Sequence, residues 1–171
     1  MSKRNLKKYL SGLTQEQTAE QLLELYDKFS DVKAYYDFVF NPNEEKLVRE
    51  AKLKINNEYF PVKGKRAKLR RSVAQKHIKH FLLLGVDSYA IADVMLHNIE
   101  IALKYSAKRE MRYSSFYKSM LTSYQQVVKF AIEKGLVDDL RPRFNAVLTE
   151  VKLQRWENLD DFQDIIDTIT L

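Results

Sequence analysis

The sequence predicts an all-α protein, a single compact domain of eight or nine helices arranged as a bundle or a short array of helical hairpins. Three observations carry this expectation. Apolar residues recur at helical spacing along the chain, and no stretch sustains the alternation of a strand. Capping residues stand where those periodic segments begin. Only four glycines and three prolines interrupt 171 residues, and they fall between the segments, at their starts or in a loop.

A short basic segment near residues 3–11 comes first. Thr14, with Gln17 three residues on, is a capping-box start for a helix to about Lys28, and Ala19, Leu22, Leu23, Tyr26 and Phe29 follow the helical period. Ser30 or Asp31 caps a second helix to Phe40. In "NPNE", Asn41 reads as a cap with Pro42 in the first turn, opening a helix to about Glu58. A loop over 59–65 leads to a helix over about 67–84, which Gly85 ends. Asp87 caps the next helix, to about Ala107. Further helices are expected over 114–134, closed by Gly135, then 139–156 and 159–169, the last behind an Asn158 cap. At Gly85-Val86 and Gly135-Leu136 a left-handed glycine precedes an apolar residue able to pack back on the finished helix.

Composition narrows the function. With 45% apolar and 12% aromatic residues the chain has ample material for a core, and burial of roughly 70% of the unfolded surface is expected at this length. The absence of cysteine excludes disulfides, cysteine-ligated zinc and thiol catalysis. The basic start MSKRNLKKYL has no apolar signal-peptide core after it, and apolar runs such as Phe81–Leu84 are too short to span a bilayer. A soluble, cytoplasmic protein with no membrane partner is the expectation.

The net charge of +6 is unevenly placed. Residues 63–80 hold eight lysines and arginines and no acid, while residues 157–171 hold five acids and no base. On a helical projection Leu69, Val73, His77, Phe81 and Leu84 share one arc with Ala74 and Ile78 towards its edge, opposite Lys68, Arg71, Gln75 and Lys79 with Ser72 and Lys76 beside them. A cationic face of this kind suits phosphate, since each contact releases counterions whatever the base sequence. The candidate polyanion-binding residues are Lys63, Lys65, Arg66, Lys68, Arg71, Lys76 and Lys79. Two plainer readings compete: a face solvated by water alone, or one neutralised by the acidic C-terminal helix. Tyr59 and Phe60 adjoin this basic loop, where aromatic rings can stack on bases, but at a helix junction they are read as core anchors.

The helix from Asp87 is apolar nearly all round and should be the most buried element. Its one polar stripe, Asp93, His97, Glu100 and Lys104, has ligand-like residue types, but a solvent-facing seam with a Glu100–Lys104 pair accounts for it. No metal site, cofactor or catalytic residue is assigned. The chain lacks a glycine-rich phosphate loop and a G-x-S-x-G motif, so enzyme activity is disfavoured.

The strings "YDFVFNPNEEKL" (36–47), "EYFPVKGKRAKLRRSVAQKHIKHF" (58–81), "IADVMLHNIEIALKYSA" (91–107) and "SFYKSML" (115–121) together resemble an uncharacterised family of small helical proteins, a domain of unknown function met mainly in Bacteroidota. The resemblance implies a bacterial cytoplasmic protein and carries no site residues with it. The functional expectation is a non-enzymatic binding protein that contacts RNA, DNA or a ribonucleoprotein through the basic helix at 63–80. The alternative is a protein–protein adaptor with no nucleic-acid role.

Overall fold

The computed structural model describes residues 2–62, 66–109 and 111–169, and among them it contains nine α-helices and no strand. In order these are α1 (Lys3–Leu10), α2 (Gln15–Lys28), α3 (Ser30–Phe40), α4 (Glu44–Tyr59), α5 (Arg71–Leu84), α6 (Ser88–Ser106), α7 (Ser114–Lys134), α8 (Val137–Leu153) and α9 (Leu159–Asp167). Within this all-α chain the contacts gather into two compact units, Met1–Asn43 and Glu44–Leu171.

In the first unit, α2 opens on the capping box expected of its sequence. Gln17 N–H donates to Thr14 Oγ1 at 3.2 Å, and Thr14 N–H donates to Gln17 Oε1 at 2.9 Å. α2 packs on α3, where the Tyr26 hydroxyl donates to Asp37 Oδ1 at 2.6 Å. The start of α3 differs from expectation: Phe29, extended and with no side-chain hydrogen bond, occupies the cap position, and Ser30 is already helical. Asn41 likewise ends α3 instead of opening α4, its N–H donating to the Asp37 carbonyl. Pro42 drives the residue before it out of the helical region, which ends α3 at Asn41 (φ −135°, ψ 67°), and α4 starts only at Glu44. None of α1, α2 or α3 has a buried residue, and Leu23 and Phe40 are 64% and 72% exposed.

The second unit is organised by α6. Ile91, Val94, Met95, Leu96, Ile99, Ile101 and Leu103 point in several directions around that helix, and all are buried. Helices α4, α5, α7 and α8 pack against it, and α9 packs on α7 and α8. Gly85 (φ 74°) and Gly135 (φ 69°) end α5 and α7 as expected, with Val86 N–H reaching the Phe81 carbonyl and Leu136 N–H the Ala131 carbonyl. α8 closes in the same way without a glycine. Arg155 takes φ 52°, Trp156 N–H donates to the Val151 carbonyl at 3.1 Å, and the helix therefore stops short of the expected 156. The buried Trp156 ring then meets Phe116, Tyr117 and Phe162 at centroid distances of 5.6, 5.2 and 5.9 Å, tying α9 to α7. Asn158 stands at the start of α9, but its amide donates to the Tyr117 carbonyl and does not cap the helix.

Ile99 is wholly enclosed, with 0% of its surface exposed. Ile99→Ala is expected to cost about 2–5 kcal/mol of unfolding free energy, measured by urea denaturation. A loss below about 1 kcal/mol, the range of surface sites, would contradict the central position of α6.

Candidate functional site

The basic stretch is anchored on an acid. Glu58, in the last turn of α4, is nearly buried, and the returning chain wraps around it. Its carbonyl accepts from Lys68 N–H at 3.0 Å and Leu69 N–H at 3.2 Å. Its carboxylate accepts from Arg70 Nε at 2.9 Å and Nη2 at 2.8 Å, a two-pronged contact, and from Arg70 N–H at 3.3 Å. The Arg70 guanidinium holds the Glu58 carboxyl below its ordinary pKa, against the upward push of burial. Leu69 adopts φ 54°, a left-handed conformation that costs a leucine about 1–2 kcal/mol and that these bonds offset.

This arrangement corrects the sequence reading. Residues 66–70 are not helical, so α5 begins at Arg71 instead of near 67, and Leu69 lies outside the helix. The buried face of α5 is Ala74, Ile78, Phe81 and Leu84, which is turned from the expected arc; Val73 and His77 are half-buried at its border. Arg71 is then brought inward. Its Nε donates to Ser123 Oγ at 2.8 Å and its Nη2 to Gln126 Oε1 at 2.7 Å, and Gln75 joins the same Gln126 oxygen at 3.2 Å. Burial lowers the Arg71 pKa. Arg71 is thus an internal tether to α7 and leaves the polyanion set.

Of the other candidates, Lys63 and Lys65 lie outside the described residues. Arg66, Lys68, Lys76 and Lys79 are exposed, and none forms an ion pair among the described residues. The acidic α9 packs on α7 and α8, and no ion pair among the described residues joins it to α5.

The fold also collects residues that charge counting along the chain does not. Arg66 and Pro61 line two hollows. One, of about 260 Å³, also holds Glu58, Lys68 and Arg70. The other, of about 500 Å³, is lined by Phe60, Tyr105 and Arg109 besides Arg66. Tyr59 is a core residue as expected, but Phe60 is 38% exposed, since it follows the last residue of α4 and faces the end of α6. Its ring meets Tyr105 edge-on at 5.7 Å. Lys108 Nζ lies 5.7 Å from the Phe60 centroid, and the Arg109 guanidinium 5.4 Å from that of Tyr105. The signal for this second set is the run Lys104, Lys108, Arg109 and Arg112 at the end of α6, which the sequence reading passed over.

The polar stripe of α6 is not a solvent-facing seam. Asp93 pairs with Lys52 of α4 at 2.6 Å and with Arg143 of α8 at 2.8 Å, and Arg143 also reaches Glu100 at 2.8 Å. Glu100 therefore turns to Arg143 and not to Lys104. His97 Nε2 lies 2.7 Å from Asn56 Oδ1. Burial pushes the Asp93 pKa up, but Lys52 and Arg143 outweigh it and the carboxyl falls below its ordinary value. His97 is lowered by burial and then by Lys52. These carboxylates are engaged by cations, and no cluster of three potential ligands stands among the described residues.

A family model described as Family of unknown function (DUF6155) matches residues 1–170. The chain belongs to that family. No curated protein and no solved structure gives a significant match to this DUF6155 member. No helix among the described residues is long and apolar enough to cross a membrane.

Because the folded Glu58 pKa is depressed, its stabilising contribution is complete above the ordinary glutamate pKa of about 4.3. It is lost as pH falls below that value through the lower folded one. Glu58→Gln should therefore lower the urea midpoint at about pH 7, with the gap to the wild type narrowing towards about pH 3. An equal gap at both pH values would mean that the Glu58 charge contributes nothing.

Proposed function

We propose that this protein is a non-enzymatic binding protein of the bacterial cytoplasm, needs no cofactor, and holds the phosphates of RNA or DNA, free or in a ribonucleoprotein. The single observation that supports this is the fate of the basic block. Arg70 and Arg71 are taken up by Glu58, Ser123 and Gln126, while Arg66, Lys68, Lys76 and Lys79 stand exposed with no acid paired to them among the described residues. Cations in that state gain affinity for a polyanion by releasing its counterions. Such contacts read the backbone, so little dependence on base sequence is expected.

Fluorescence anisotropy with labelled RNA and DNA across a salt series tests this. Log affinity should fall with log salt at a slope of roughly −3 to −4, for four neutralised phosphates. The variant R66E/K68E/K76E/K79E should abolish binding and keep the helical circular dichroism, because Ala74, Ile78, Phe81 and Leu84 are untouched. Absence of binding by the wild type at low salt would overturn the proposal.

A second reading, a protein–protein adaptor, is favoured by a different observation: helices α1 to α3 bury no residue, yet expose Leu22, Leu23, Leu25, Phe29 and Phe40. A partner that covered these side chains would supply the burial that the three helices lack. A partner retained from the native cell after nuclease treatment, and released by Leu23→Glu, would support it; loss of every partner with nuclease would count against it.

A further inference from the structure

We propose that the hollow bounded by Phe60, Tyr105, Arg66 and Arg109 receives an unstacked base, so that the nucleic acid bound here is single-stranded. The inference rests on the phosphate-binding reading above and adds the class of strand.

The aromatic part of the hollow is of two kinds. Tyr105 is 8% exposed and its ring is fixed edge-on between Tyr59, at 6.0 Å, and Phe60, at 5.7 Å. Phe60 is 38% exposed and presents the accessible ring. A partly exposed ring packed against a buried one is what a base stacks on, and stacking tolerates any base because every base has a π-face. The cations stand around it. Lys108 lies over the Phe60 ring and Arg109 over the Tyr105 ring, Arg66 also lines the hollow, and none of the three is ion-paired among the described residues. A lysine–ring contact at an exposed site is weak. An entering base therefore displaces Lys108 readily from the ring and leaves its ammonium beside the flanking phosphate.

The setting also argues for a strand over a lone anion. Arg66 and Pro61 line the neighbouring hollow too, where Lys68 stands and where the one carboxylate, Glu58, is neutralised by Arg70. Phosphates on either side of the stacked base thus meet positive charge in both directions. A duplex satisfies the cations but not the ring, because its bases are stacked on one another and only unpaired ones are splayed onto aromatic side chains. A surface that merely attracted phosphate would need no open phenylalanine among its cations.

The test uses the full chain and fluorescein-labelled oligouridylate of about 12 nucleotides, within the usual footprint of stacking sites, against a duplex of equal length. The wild type should prefer the single strand about tenfold. Phe60→Leu, which keeps apolar bulk and loses the flat ring, should weaken single-strand binding about tenfold and leave the salt slope and duplex affinity unchanged. Arg109→Gln should instead reduce by about one unit the single-strand slope, which Arg109 makes steeper than the four cations of the basic block alone would give. Circular dichroism and thermal melting of both variants confirm that the fold is kept. Single-strand binding undiminished by Phe60→Leu overturns the stacked base while phosphate binding stands. Uridine monophosphate binding as tightly as the oligomer overturns the strand and assigns the hollow to a free nucleotide. Failure to bind any nucleic acid overturns the phosphate-binding reading and this inference with it.

Discussion

The second unit depends on the enclosure of α6. A helix whose apolar residues point in nearly every direction has no side to give to water, so neighbours must surround it. Helices α4, α5, α7 and α8 do so. The stripe from Asp93 to Glu100 is then half-buried between packed helices, and its carboxylates are served by opposite charges nearby, since an unpaired buried charge is costly. Lys52 from α4 and Arg143 from α8 supply them. Residues whose types suggest a metal site thus act as the polar joint by which α4 and α8 are fixed to the central helix.

Glu58 has a comparable role for the cationic surface. By capturing Arg70 and the backbone N–H groups of residues 68–70, it turns a stretch with helical periodicity into a non-helical return that precedes α5. The same turn rotates the start of α5 so that Arg71 reaches α7. Two of the most central cations in the block are therefore structural. Those left to solvent lie at its two ends, Arg66 and Lys68 before the helix and Lys76 and Lys79 along it.

What the sequence disclosed follows from the range of each interaction. Thr14 with Gln17, and Gly85 and Gly135 with the apolar residues after them, act within one helical turn, and their signals are complete in a few adjacent residues. Asn41 differs from its cap-like signal because α4 starts only at Glu44, so Asn41 and Pro42 fall in the connection and the Asn41 N–H closes α3. The capture of Arg70 by Glu58 spans twelve residues, and Arg71 reaches Ser123 across fifty-two, so neither can be seen in any window of helical periodicity. The same holds for the candidate site. Its cations were legible as composition, whereas the meeting of Phe60 and Arg66 with Tyr105 and Arg109 is created by the packing of α4 on α6.

The lack of any buried residue in α1 to α3 bears on cooperativity. Burial of apolar surface is what makes a folded region resist opening, and every buried residue described lies beyond Asn43. Backbone amides of α2 and α3 are held by their own helical bonds and a few surface contacts, so their exchange with solvent reports local opening, while those of α6 report opening of the entire second unit. A midpoint from a denaturation curve accordingly describes Glu44–Leu171, and a two-state treatment of all 171 residues would assign to the first helices a resistance that belongs to α6.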